Sequence, residues 1–289
     1  MLQASFLVAL SAILYGFLGY CGTSIIVENM SITTMLFWRF LIASLWILLF
    51  ILPQTRNGKA INIDKNVLFF MFILGAAYAG SSGFYFLAAR TTGTGLAMVI
   101  FFSYPIMIAL LSWMIHKEKL TLSTFAVLIA MSIGLVLLHG SFQQPWHLVG
   151  IGFALLSAIS YAIYIMGSKR FSFAAINSNL LSLMVCIGCT VIFLITSLAT
   201  QSFSLPSSMK SVIFLLSLGI LVTALPIQLM LQGLKYISSM RASIISVLEP
   251  IVTVIVGIVL LQESVTHLQI LGALMIMGSA ILVQFHKEL

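Results

Sequence analysis

Charge is the property that this sequence has least of. Only 7% of its 289 residues are Asp, Glu, Lys or Arg, and only six of those are acidic. Hydrophobic residues make up 61% of the chain, and the mean hydropathy is +1.19. A water-soluble domain needs a charged shell around its core, so this composition excludes the ordinary soluble enzymes and binding modules.

Cysteine is also scarce, and the sequence contains no recognisable catalytic motif. Cys186 and Cys189 form a CIGC segment inside an apolar run, without a second Cys or His pair nearby. That context favours a packing role over a redox or metal role. HExxH, GxSxG and P-loop patterns are missing from the sequence. We therefore expect no enzyme, no cofactor and no metal, and any uphill transport would have to use a gradient or exchange.

Apolar runs of about 20 residues recur along almost the whole chain, and each is long enough to cross a membrane as a helix. The runs are continuous, which favours helices over the alternating strands of a barrel. The sequence thus predicts an all-α membrane protein. Its ten predicted spans are 5–26, 33–52, 66–88, 95–115, 121–139, 147–168, 178–199, 211–233, 241–261 and 266–285.

The distribution of Lys and Arg predicts the orientation. If ten helices begin and end on one side, ten of the thirteen basic residues fall in loops on that side. Two fall on the other side, and Arg39 lies within a span. Because basic loops stay in the cytoplasm, we expect a multi-pass protein of the bacterial inner (plasma) membrane with both termini cytoplasmic. The same loops explain the net charge of +7 without a nucleic-acid partner.

An internal repeat divides the chain into two halves, 1–142 and 143–289. Residues 97–121 align with residues 242–266 at a constant offset of 145, with identities that include Pro105 and Pro250. Each half holds five predicted helices, so the second half would enter the membrane upside down relative to the first. Inverted repeats of this kind are typical of secondary transporters.

Two motifs resemble a known family. "FWRFLIA" lies in the second span, and a proline in the fourth and ninth spans is followed thirteen residues later by Glu118 or Glu263. With five plus five helices, the chain resembles the drug/metabolite transporter superfamily, EamA type. The resemblance implies a central cavity lined mainly by helices 1, 3, 4, 6, 8 and 9. It implies no single substrate, because such proteins carry amino acids, nucleosides, sugars, cofactors or drugs. We expect the two loop glutamates to act as caps or loop contacts.

The ninth span carries a carboxylate, Glu249, directly before Pro250. We place Glu249 about 12 Å from the cytoplasmic surface, where a charge needs partners or a proton. Pro250 lacks an N–H, so the carbonyl of Ser246 loses its helical partner, and Pro105 does the same to Phe101. An acid beside a freed carbonyl predicts a substrate or proton site on a hinge, with Glu249 the candidate proton carrier. The alternative is a structural ion pair with Arg39.

Polar and aromatic side chains recur at helical spacing in several spans, which indicates faces turned away from lipid. Each of them could instead make hydrogen bonds between helices. Together they predict a cavity for a small, partly apolar solute. The candidate substrate-binding residues are Tyr15, Tyr78, Tyr85, Phe101, Tyr104, Tyr161, Tyr164, Gln228, Gln232 and Glu249.

Three prolines are candidate hinges: Pro105, Pro226 and Pro250. Arg39 is either an anion-binding residue or a structural contact that snorkels toward the headgroups. These features favour a secondary transporter that moves a small metabolite by alternating access, with a proton as the candidate coupling ion. The alternatives are a passive facilitator and a lipid flippase or lipid-processing enzyme. The expected partners are the solute and the lipid bilayer, and the sequence predicts no oligomeric state.

Overall fold

In the computed structural model, the chain is a bundle of helical rods. The structure describes residues 2–21, 30–56, 64–117, 121–139, 147–173, 177–261 and 266–285, and strands are absent from these ranges. The helices are α1 (Leu2–Cys21), α2 (Ile32–Arg56), α3 (Lys65–Thr92), α4 (Thr94–His116), α5 (Leu122–His139), α6 (Leu148–Phe173), α7 (Ser178–Ala199), α8 (Met209–Gly233), α9 (Ser239–Leu261) and α10 (His267–Phe285).

Eight of these rods are long and apolar enough to cross a membrane, which supports a multi-pass membrane protein. The other two, α5 and α10, are apolar but shorter. At 1.5 Å per residue, the 18 residues of α5 extend about 27 Å. Membrane crossing by α5 and α10 therefore stays a prediction. The loop glutamates Glu118 and Glu263, expected to cap helix ends, lie outside the described residues.

α3 extends four residues beyond its predicted end. The predicted third span ended at residue 88, but α3 continues to Thr92. It ends at Gly93, whose φ of 81° lies in the region that glycine adopts without strain. α4 begins at the next residue, so one glycine makes the whole turn between two antiparallel helices.

The helix contacts come in matching pairs between the two halves. α3 packs on α6 and α7. Its repeat equivalent, α8, packs on α1 and α2, which are the repeat equivalents of α6 and α7. A Cβ atom on Gly75 of α3 would lie 2.5 Å from the carbonyl oxygen of Val185 on α7. A Cβ atom on Gly219 of α8 would lie 2.5 Å from Cγ2 of Ile42 on α2. Gly219 follows Gly75 by 144 residues, close to the offset of the sequence repeat.

α4 and α9 are broken at repeat-equivalent positions. The first piece of α4 is followed by the C-cap residue Phe102 and that of α9 by Val247, and these two positions lie 145 residues apart. Each break precedes a proline by three residues, because the proline ring clashes with the carbonyl four residues before it. The pieces are Thr94–Phe101 and Tyr104–His116 in α4, and Ser239–Ser246 and Leu248–Leu261 in α9.

The third candidate hinge proline also lies beside an irregular segment. Pro226 follows a five-residue π-helical segment, Ile220–Ala224, within α8. The wider π turn accommodates a helix position that lacks an N–H donor. Each predicted hinge proline therefore lies next to a local break or bulge, while motion at these places stays a prediction.

α1 also has a turn, at Gly16, whose carbonyl oxygen accepts a hydrogen bond from Thr253 of α9 at 3.2 Å.

Candidate functional site: a cavity at mid-depth

Two ends of the bundle can be defined from its hydrogen bonds. At the Ser202 end, Thr34 at the start of α2 donates to the carbonyl oxygen of Ser202 after α7, at 2.7 Å. At the Leu234 end, Lys169 of α6 donates to the carbonyl oxygen of Leu234, which follows α8. Neither definition depends on the orientation of the protein in the membrane.

A cavity of about 110 Å³ lies between α1, α2, α3, α4, α6 and α9. Tyr78 and Tyr161, both in its wall, are the fourteenth residues of the 28-residue α3 and the 26-residue α6. The cavity therefore reaches mid-depth. Its other lining residues on α3, such as Tyr85, lie toward the Ser202 end. Compared with the expected lining, α8 contributes no residue and α2 contributes one, Arg39.

Aromatic rings form most of the wall. The ring of Tyr161 lies edge-on to Tyr104 at 4.7 Å and to Phe101 at 5.5 Å between centroids. Phe101 in turn contacts Tyr85 at 5.6 Å. Edge-to-face contacts of this kind hold each ring in one orientation. The wall can therefore offer a solute flat apolar faces together with phenolic hydroxyls at fixed places.

Two of the predicted tyrosines are joined by their hydroxyl groups. The Tyr15 and Tyr78 hydroxyl oxygens lie 2.9 Å apart, which links α1 to α3 across the cavity wall. Ser81 and Ser82 also line the cavity, as part of the polar face predicted for α3. Ser157, on the corresponding face of α6, instead donates to the carbonyl oxygen of Ser81 at 2.7 Å. One polar face thus serves both the cavity and the packing between helices.

The structure gives a local reason for Glu249 and Pro250 to be adjacent. Both lie in the first turn of the second helical piece of α9, Leu248–Leu261. The first turn favours an acidic side chain because the helix dipole is positive there. It also tolerates proline, because its N–H groups have no partner within the helix. The break in α9 therefore presents a carboxylate to the cavity from a favourable position.

The position equivalent to Glu249 in the first half is occupied by Tyr104. Its side chain is 1% exposed, and its hydroxyl donates to the carbonyl oxygen of Ser243 in α9 at 3.2 Å. The residue after the break in α4 is therefore bonded to α9 about one turn before the break in that helix. The shared geometry carries an acid in one half and a neutral hydroxyl in the other.

Arg39 is buried in the wall of the same cavity. Its side chain is 2% exposed, and its Nε donates to the hydroxyl of Thr223 at 2.6 Å. Its Cζ lies 5.0 Å from the ring centre of Phe40. Within the described ranges, no ion pair within 4.0 Å joins Arg39 to Glu249. The structural ion pair considered from the sequence is therefore not formed in this conformation.

Seven of the ten candidate substrate-binding residues line the cavity, and three do not. Tyr164 packs behind the wall, with its ring 4.7 Å from that of Tyr78. Gln228 donates from Nε2 to Oδ1 of Asn179 on α7, at 2.9 Å. Gln232 lies one turn closer to the Leu234 end of α8 and is also off the cavity.

The sequence predictions missed several apolar lining residues because they selected mainly polar side chains and tyrosines. Leu18, Gly19 and Met98 are examples, together with Phe86 and Phe102. Two of them lie four residues, about one helical turn, after a polar lining residue of the same helix: Gly19 after Tyr15 in α1, and Phe86 after Ser82 in α3. Helical spacing applied without a polarity filter would have included these two.

Comparison with known proteins identifies the family. The sequence profile of the EamA-like transporter family matches residues 2–140 and 148–285, which is nearly the whole chain. The chain belongs to the EamA-like transporter family. The predicted family is thus confirmed, and it is a family of transporters.

Several curated relatives of this EamA-type chain are named uncharacterized transporters. One from Synechocystis sp. is 30% identical over 67% of this chain, and the match spans 60% of the relative's length. One from Archaeoglobus fulgidus is 24% identical over 95% of this chain and 94% of its own length. One from Haemophilus influenzae is 24% identical over 84% of this chain and 81% of its own length.

A solved crystal structure has the same fold. It superposes on this EamA-type chain with a TM-score of 0.82 and covers 96% of it, along with 95% of its own chain. The sequence identity is 16%, so the similarity concerns the arrangement of the helices and not the solute.

Proposed function

We propose that this protein is a secondary transporter of the bacterial inner membrane that moves a small metabolite by alternating access. Both termini would be cytoplasmic, and the solute, an amino acid, a nucleoside-like compound or a related metabolite, would bind in the mid-depth cavity. The observation that carries the proposal is the meeting of two repeat-equivalent helix breaks at this cavity. Broken helices at the repeat interface are where secondary transporters place their solute and ion sites.

Alternating access requires two halves that can exchange conformations. The matched contacts of α3 and α8, and the equivalent close approaches at Gly75 and Gly219, support two inverted five-helix halves. The cavity lies between mid-depth and the Ser202 end. Toward the Leu234 end, Gln228 is bonded to Asn179, and the hydroxyl of Ser11 donates to the carbonyl oxygen of Pro226 at 2.8 Å. This asymmetry supports a one-sided state, from which the other state follows by exchanging the conformations of the halves.

Glu249 is the candidate carrier of a coupling proton. It is the acid in the cavity wall, and it follows a helix break that can change its surroundings when the halves move. The charged and titratable groups that line the same cavity are Arg39 on α2, Tyr15 on α1, Tyr78 and Tyr85 on α3, Tyr104 on α4, and Tyr161 on α6.

The first experiment is a thermal-shift screen of the purified protein against amino acids, nucleosides, nucleotide-derived cofactors and hydrophobic cations. A compound that binds the folded state raises its melting temperature. The compound with the largest shift is then tested for counterflow in proteoliposomes. Saturable counterflow supports a transporter, whereas uptake without saturation or counterflow would favour a passive facilitator. Failure of every class to bind or to be transported by well-folded protein would contradict the proposal.

A further inference from the structure

Two charges of opposite sign line the cavity without pairing with each other. Arg39 and Glu249 are the charged residues of the described lining, and their charged atoms are more than 4.0 Å apart. Separating opposite charges within an apolar bundle is unfavourable unless each charge has another partner. Such an arrangement is suited to a solute that brings one charge of each sign.

The guanidinium of Arg39 is held so that part of it remains available to the cavity. Nε is bonded to Thr223, and the group packs beside the ring of Phe40. Within the described part of the chain, Thr223 is the residue that accepts a hydrogen bond from the side chain of Arg39. A guanidinium has five N–H donors in a planar fork, so its terminal nitrogens remain free to bind a carboxylate through two bonds.

Thr223 is itself fixed by the irregular segment of α8. Its hydroxyl accepts from Arg39 and donates to the carbonyl oxygen of Leu218 at 2.7 Å. The acceptor lies five residues back, and Thr223 belongs to the π-helical segment Ile220–Ala224. The π segment therefore explains how α8 takes part in the site without lining it: Thr223 positions the arginine from behind.

The geometry points to a zwitterionic solute of amino-acid type, whose carboxylate is bound by Arg39 and whose ammonium group is bound by Glu249. This inference rests on the proposed function, and it narrows the solute class of the same cavity. Phe101, Tyr104 and Tyr161 supply ring faces and edges in the same cavity, which suit an apolar side chain of such a solute. A cavity of about 110 Å³ suits a compact solute of this kind.

The inference is tested with three matched probes that differ only in charge. L-valine carries both charges, isobutylamine lacks the carboxylate, and isovalerate lacks the ammonium group. The twenty standard amino acids are screened first by thermal shift, and the dissociation constants of the best binder and its own amine and acid analogues are then measured alongside the valine set. We expect the zwitterion to bind at least about 10-fold more tightly than either analogue, since a hydrogen bond to a charged group is lost in each.

Variants then assign each charge to its residue. Arg39→Gln should weaken binding of the zwitterion by about 10- to 100-fold and leave binding of the amine unchanged. Glu249→Gln should weaken the zwitterion and leave the acid unchanged. Thr223→Val should weaken the zwitterion but not the amine, while Thr223→Ser, which keeps the hydroxyl, should bind like the parent protein. A purely structural role of these residues would weaken all three probes together.

Three results would overturn the inference. The first is binding of the amine or the acid as tight as that of the zwitterion. The second is a variant that weakens all three probes equally. The third is the absence of a shift with all twenty amino acids at millimolar concentration while nucleosides or hydrophobic cations do bind. That third pattern would leave the proposed transporter function intact, whereas failure of every class would contradict the function as well.

Discussion

α4 and α9 share a break and differ in the residue that follows it. Both helices stop at positions 145 residues apart, and both resume with a proline in the new first turn. After the break, α4 carries Tyr104, which is bonded to the backbone of α9, and α9 carries Glu249, which lines the cavity. The helix break therefore belongs to the repeated scaffold, whereas the acid that follows it belongs to the second half alone.

The largest expected difference between the two halves concerns the acid. Glu249→Gln should abolish uptake driven by a pH gradient, because the amide cannot carry a proton, while exchange continues at solute concentrations high enough to saturate the weakened site. The rates of both processes are measured in proteoliposomes. Tyr104→Phe is the matched variant of the other half and should keep both. If Glu249→Gln retains pH-driven uptake at the parent rate, the proton role is wrong.

The second prediction compares the two equivalent glycines. A Cβ at Gly75 would meet a backbone oxygen at 2.5 Å, whereas a Cβ at Gly219 would meet Cγ2 and Cβ of Ile42 at 2.5 and 2.6 Å and would lie 3.2 Å from the nearest backbone atom. Gly75→Ala should therefore destabilise the fold by about 1–3 kcal/mol, and Gly219→Ala by less. The two losses of stability are compared by measuring the melting temperatures of both variants. A greater loss in Gly219→Ala would mean that the α2 contact is the more rigid one.

The third prediction concerns the shared break. Pro105→Ala and Pro250→Ala each restore an N–H that can bond to the carbonyl four residues earlier, which favours a continuous helix. Both variants should lower the transport rate severalfold while the dissociation constant of the solute changes little. Stopped-flow transport and equilibrium binding separate the two quantities. A rate that falls in one variant and not the other would show that only one half bends.

The smallest expected effect is on Tyr104 itself. Tyr104→Phe removes its hydrogen bond to Ser243, which costs about 0.5–1.5 kcal/mol of stability. Binding of the solute should stay within a few-fold of the parent value, because the ring remains in the wall. Thermal unfolding and a binding titration are measured on the same sample. A loss of binding without a loss of stability would place the hydroxyl on the solute.

The sequence predicted the helical fold and the broken helices better than it predicted the lining of the site. Apolar runs predict the helices, and Pro105 and Pro250 predict the helix breaks, because both signals are local properties of the chain. Helical spacing also identifies a polar face, but not how deep in the bundle a residue lies. Gln228 was selected by its polarity, although Asn179, distant in sequence, turns it into a packing contact.

The central claim, that the cavity is the solute pathway, is tested most directly by filling it. Ser82→Trp on α3 places a large ring in the cavity, and Leu87→Trp places the same ring on an exposed position of that helix. Counterflow of the best binder from the thermal-shift screen is measured for both variants at equal amounts of folded protein. The account predicts that Ser82→Trp loses counterflow and that Leu87→Trp keeps it. Normal counterflow in Ser82→Trp would contradict the claim.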